Sequence, residues 1–179
     1  MHLLALAWSI DSLGEDGCQM VTTLEVGMGE SSMLRFGKFV PTDEVRDAWV
    51  SGDLERMLRA ADLQTNLVDR HFLLSGIVKE TYRRRSESEM ASKCSHFSEM
   101  HLAELKTIAP ALKADMDGAL TRVPTFRNYA TLLTEQGDFD RAIRVCERAK
   151  YYGLEDGTKA GFDGRIARIR KKQGPASHA

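Results

Sequence analysis

The chain has 179 residues, a formal net charge of -1, and 42% hydrophobic against 28% charged residues. That balance matches an ordinary globular domain with room for a real core. It gives no whole-chain attraction to nucleic acid or to an anionic membrane, so any basic patch must be local. No apolar run approaches the ~20 residues that cross a bilayer. Cys18, Cys94 and Cys146 are odd in number, far apart and free of any C-x-x-C spacing. They argue against a disulfide framework or a zinc site, and for a reducing, cytoplasmic compartment.

The opening MHLLALAWSI is apolar, but it is short and lacks the leading Lys or Arg of a secretory signal. Residues 1–32 contain Gly14, Gly17, Gly27 and Gly29 and keep no sustained period. They are expected to form a poorly ordered extension, or to lie upstream of the true start. Met33 to Pro41 is an amphipathic or extended lead-in. Thr42 is then placed to cap a helix whose first turn carries Asp43 and Glu44 at the positive end of the dipole. Val45, Ala48 and Trp49 share its face, and the Ser51–Asp53 stretch breaks it. Leu54, Met57, Leu58 and Ala61 mark a second helix.

A longer pair follows. Leu67, His71, Leu74, Val78 and Tyr82 form one stripe, closed by Arg83, Arg84 and Arg85. Ser86 and Glu89 have the spacing of a capping box. The next stripe is Met90, Cys94, Phe97, His101, Leu105 and Ile108, and Pro110 is expected to end or kink that helix. A short helical turn over Pro110–Asp117 would stop at Gly118.

Pro124 suits the first turn of a further helix, with Phe126, Tyr129, Ala130 and Leu133 on one face. Gly137 ends it where a left-handed residue is required, and Asp138 caps the next. Phe139, Ala142, Ile143, Cys146 and Ala149 form that helix's apolar stripe. Gly153 and Leu154 have the form of a Schellman stop. Phe162, Ile166 and Ile169 mark a last helix over Thr158–Lys172. The expected layout is one α-helical domain over residues 33–172 and a disordered tail over 173–179.

The order Phe126, Tyr129–Ala130, Leu133, Gly137, Phe139, Ala142, Cys146, Ala149 resembles a tetratricopeptide repeat (TPR), a 34-residue helix–turn–helix unit. The resemblance is clear over residues 123–156 only. Cys146 stands where an aromatic is usual, and Leu154 where proline is common. GDLERML at Gly52–Leu58 echoes GDFDRAI at Gly137–Ile143. The resemblance implies an all-α fold: antiparallel αα-hairpins stacked as a short TPR-like solenoid, closed by a C-terminal capping helix. It also implies a groove on the first helix of each hairpin that receives a peptide or a partner helix. The groove residues of the clear repeat are then Arg127, Thr131, Thr134 and Glu135. Arg127 with Asn128 is only a hint of a carboxylate clamp.

Catalytic and cofactor motifs are missing. EDGTKAGF has the wrong order and context for a phosphate loop. His96 and His101 are five apart and form no H-E-x-x-H, so no metal site is expected. No G-x-S-x-G occurs. The expectation is a non-catalytic interaction module without a cofactor, whose partner is a protein or peptide. The alternative is nucleic-acid binding through the basic helix ends: Lys79, Arg83, Arg84 and Arg85 in one cluster, Arg165, Arg168 and Lys172 in the other. Both clusters also suit the negative end of a helix dipole without any ligand.

Overall fold

The computed structural model describes residues 32–35, 37–116, 118, 120 and 122–174. The expected extension therefore lies outside the described residues apart from Ser32, and so do Cys18 and the tail from residue 175. The lead-in is a β-hairpin. Strands β1 (Ser32–Arg35) and β2 (Lys38–Pro41) pair antiparallel, with Ser32 opposite Pro41 and Arg35 opposite Lys38. Gly37 supplies the left-handed residue of the turn, at φ 73°. Leu34 and Phe39 face each other across the ladder and are 55% and 78% exposed.

Seven helices follow among the described residues. Helix α1 (Glu44–Ser51) is capped by Asp43, not by Thr42. A carboxylate offers two acceptors: one Asp43 oxygen takes Arg46 N–H at 2.7 Å and the other takes the Thr65 hydroxyl. Helix α2 (Leu54–Arg59) continues into a 3-10 turn at Ala60–Asp62. The sequence echo between the two GD turns has a counterpart in geometry. Gly52 and Gly137 have φ 68° and 83°, and the aspartates after them, Asp53 and Asp138, accept from Arg56 N–H and Arg141 N–H at 2.7 and 3.2 Å.

Helix α3 (Leu67–Arg83) and helix α4 (Ser88–Asp115) form the long pair. The expected capping box is replaced. Glu87 is the N-cap residue of α4 and makes no side-chain cap bond. Its carboxylate is taken instead by Arg84, at 3.1 and 2.9 Å. Pro110 does not end α4, which runs through it for 28 residues. The proline lacks the N–H that Lys106 C=O would otherwise receive. Lys106 and Pro110 are both exposed, so water can meet the freed carbonyl, while Ala109 and Leu112 stay buried and hold the helix in place.

Helix α5 (Pro124–Glu135) starts on Pro124, and helix α6 (Phe139–Tyr151) follows the Gly137 turn. A Schellman pair ends α6: Leu154 N–H reaches Ala149 C=O at 3.0 Å and Gly153 N–H reaches Lys150 C=O at 2.9 Å. Helix α7 (Gly161–Gln173) begins three residues later than expected. Thr158 is held in the loop by Asp156, which accepts from its N–H and hydroxyl at 2.9 and 2.7 Å. All seven helices contribute buried apolar residues to one contiguous core. Within it Ala130, Ala142 and Ala149 are fully buried, small enough to let helix backbones approach. Phe162, Ile166 and Ile169 join the core, and the Phe162 ring meets Phe126 edge-on at 6.5 Å. Helix α3 packs against α1, α2 and α5 as well as α4.

Candidate functional site

Helix α5 buries Phe126, Tyr129, Ala130 and Leu133, which leaves Thr131, Thr134 and Glu135 on its polar side. Each threonine hydroxyl donates back one turn, Thr131 to Arg127 C=O at 2.8 Å and Thr134 to Ala130 C=O at 2.6 Å. Each oxygen keeps acceptor capacity. Arg165 Nη1 of α7 donates to the Thr131 hydroxyl at 3.0 Å. Thr131 and Thr134 then share a cavity of about 140 Å³ with Arg165, Arg168, Ile169 and Lys172.

Arg165 is fixed from the α6–α7 loop. Its Nε donates to Asp156 Oδ2 at 3.2 Å, and Asp156 is only 5% exposed. Burial pushes the Asp156 carboxyl up, but the bonds from Thr158 and the charge and hydrogen bond of Arg165 outweigh it, so it titrates below its ordinary value. The other basic cluster arrives at the far end of α5. Arg85 grips Glu135 with two bonds, at 2.7 and 2.9 Å, and lies over the Tyr82 ring at 4.1 Å. The hydrogen bond from Arg85 holds the Glu135 carboxyl below its usual range, with a smaller pull from the Arg85 and Lys172 charges.

Thr131, Thr134 and Glu135 are thus gathered with Arg85, Arg165, Arg168 and Lys172 along one side of α5. The remaining expected residues go elsewhere. Arg127 lines a separate hollow of about 30 Å³ with Arg122, Glu155 and Asp156. Asn128 is 5% exposed and belongs to the packed side. Lys79 reaches Glu80 at 3.5 Å and Arg84 pairs with Glu87 at 2.9 Å, whereas Arg83, 3.4 Å from Glu80, also lines a hollow of about 320 Å³ with Arg85, Ser86 and Glu135 at the end of α5.

No family model, curated protein or solved structure matches this chain.

The thiols among the described residues are enclosed. Cys94 and Cys146 are buried free thiols. Burial raises both, Cys146 to about 12, which keeps them protonated at neutral pH. Among the described residues no group of three or more His, Cys, Asp or Glu is arranged to hold a metal. His96 is exposed and His101 is fully buried, so the two do not share a face. Sequence reasoning missed a second cluster, His71, Ser75 and Arg122. Its one advance signal is that His71 and His101 both interrupt apolar stripes.

Proposed function

We propose that the chain is a non-catalytic, cytoplasmic docking module. In this reading its helical hairpins stack as a short TPR-like array closed by α7, and an acidic peptide or partner helix docks on the polar side of α5. The observation that carries the reading is the meeting of Thr131 and Thr134 with Arg165, Arg168 and Lys172 around one cavity. The stacked-hairpin part draws support from the matching turns at Gly52–Asp53 and Gly137–Asp138. It also draws support from α3, which touches the hairpins on both sides of it.

The occupant follows from charge. The hydroxyls of Thr131 and Thr134 already donate to backbone carbonyls and Arg165 already holds Asp156, so the two remaining cations of the cavity, Arg168 and Lys172, are what suit a carboxylate on a short carbon stem. An Asp or Glu side chain or a C-terminal carboxylate has that form. Arg168 and Lys172 line the cavity and form no salt bridge among the described residues, Lys172 acting on Glu135 only through its charge, so both can pair with a partner's acid. Phosphate-backbone binding fits less well. Lys79, Arg83, Arg84, Arg85 and Arg165 each already hold a carboxylate of this chain. Affinity for nucleic acid scales with the cations that are free to displace counterions.

Fluorescence anisotropy with a labelled Glu-rich peptide, a Lys-rich peptide and a single-stranded oligonucleotide tests the assignment. The Glu-rich peptide is expected to bind best, and Arg168→Glu with Lys172→Glu to weaken it about tenfold or more. Tighter, steeply salt-dependent binding of the oligonucleotide would transfer the surface to nucleic acid. Equal binding of both peptides would end the docking reading.

A further inference from the structure

We infer that a second site, between α3, the end of α4 and the start of α5, takes a small carboxylic acid carrying an apolar ring or chain. A cavity of about 430 Å³ lies there, lined by His71, Phe72, Ser75, Met116, Arg122 and Pro124. Its size falls within the roughly 300–1,000 Å³ of ordinary small-molecule pockets. None of these residues lines the α5–α7 cavity, and Arg122 and Pro124 also border the hollow of Arg127, Glu155 and Asp156.

Three polar residues line it, His71, Ser75 and Arg122, the last with its guanidinium also beside Gly157. His71 is 2% exposed, and its Nδ1 lies 2.9 Å from His101 Nε2. His101 Nδ1 lies 2.8 Å from the hydroxyl of Thr125, itself 1% exposed. Nδ1 of His71 is thereby engaged, and Nε2 is the nitrogen with no protein partner among the described residues. Ser75 Oγ is buried without a hydrogen-bond partner among the described residues, an arrangement native interiors avoid unless something else satisfies it. Among the described residues Arg122 is the one charged residue of the lining, and none of those lining residues is a carboxylate.

The histidine pair makes the lining adaptable. In one proton arrangement Thr125 donates to His101 Nδ1, His101 Nε2–H donates to His71 Nδ1, and His71 keeps its proton on Nε2. His71 then offers the cavity a donor. In the other, His71 Nδ1–H donates to His101 Nε2, His101 Nδ1–H donates to Thr125, and His71 Nε2 is an acceptor. Both rings stay neutral in either arrangement, and burial is what keeps them so. A bound carboxylate selects the first arrangement, in which His71, Ser75 and Arg122 are all donors. A cation would meet Arg122 and find no acid among the described lining residues. The rest of the lining is apolar: Phe72, which stacks on Trp49 at 4.9 Å, together with Met116 and Pro124. A flat or aliphatic body therefore fits behind the carboxylate.

Phenylacetate serves as the probe, with benzylamine and 2-phenylethanol as cationic and neutral counterparts, in an imidazole NMR titration of the full chain. The signals of His71 and His101 are expected to move saturably with phenylacetate, while exposed His96 stays still. Arg122→Gln, at an exposed position, is expected to weaken binding about tenfold. Ser75→Leu is expected to abolish it by filling the cavity while the chain stays folded. The inference is overturned if His71 shows no saturable shift, if benzylamine binds as well as phenylacetate, or if Arg122→Gln leaves the affinity unchanged.

Discussion

His71 and His101, thirty residues apart in sequence, are bonded ring to ring at 2.9 Å inside the α3–α4 contact. Burial lowers His71 to about 4. It lowers His101 to about 3, with the neighbouring His71 and Arg70 adding to the effect. As pH falls through about 6.5, the unfolded chain takes up protons at both sites and the folded chain does not. The stabilisation is complete above about 6.5 and is lost as the pH drops toward the folded values, by roughly 1.4 kcal/mol per pH unit for each ring at most. Urea midpoints should therefore fall already between about pH 6.5 and pH 5, above the range where carboxylates titrate. A flat midpoint over that interval would show that the pair is not buried as a neutral unit.

Ala149 lies on the fully buried face of α6. Ala149→Leu adds volume where no space is left and should cost about 1–3 kcal/mol. Arg144→Leu, on the exposed side of the same helix, should stay within about 0.5 kcal/mol. Chemical denaturation of the two variants makes the comparison. Equal effects would mean that α6 is not packed by that face.

Pro110 sits inside α4 with its missing donor turned toward an exposed turn. A proline in a helix interior is about 3 kcal/mol less favourable than alanine, and the rigid ring repays part of that by limiting the unfolded chain. Pro110→Ala should raise the melting temperature. A lower one would mean that the proline packs against something that alanine cannot replace.

Asp156 ties the Thr158 turn to Arg165, whose side chain is itself only 16% exposed. Asp156→Ala removes three hydrogen bonds and leaves that guanidinium without its acid, for a loss of about 1–3 kcal/mol. It should also weaken the acidic peptide, because Arg165 is no longer aimed at Thr131. Thr158→Ala, which removes only the hydroxyl bond, should have the smaller effect on both readouts. Equal losses in the two variants would deny Asp156 its role in positioning Arg165.

Local demands were the readable ones. Gly137 must be left-handed and Asp138 must cap, whatever surrounds them, so that turn is visible in the sequence itself. Phe126, Ala142 and Ile166 follow a 3.6-residue period that their burial enforces. Where two local signals compete, the sequence misleads. Ser86 has capping-box spacing, yet α4 starts after it, with Glu87 at the cap position and held by Arg84. Pro110 reads as a stop because the exposure of Lys106, which makes the break cheap, is a tertiary fact. The contacts that build the candidate sites are also tertiary. Thr131 meets Arg165 across 34 positions, Arg85 meets Glu135 across 50, and no periodicity encodes either.

Helix α4 has a mechanical consequence. Its 28 residues span roughly 42 Å. Along that length it lies against α3 and α5, and Arg148 of α6 donates to its Leu102 carbonyl. A chain of independent layers can shed its end units one at a time. Here α4 is shared by α3 and α5, so loosening either strips contacts from the same rod, and those three helices should melt together, without a plateau for a half-unravelled form.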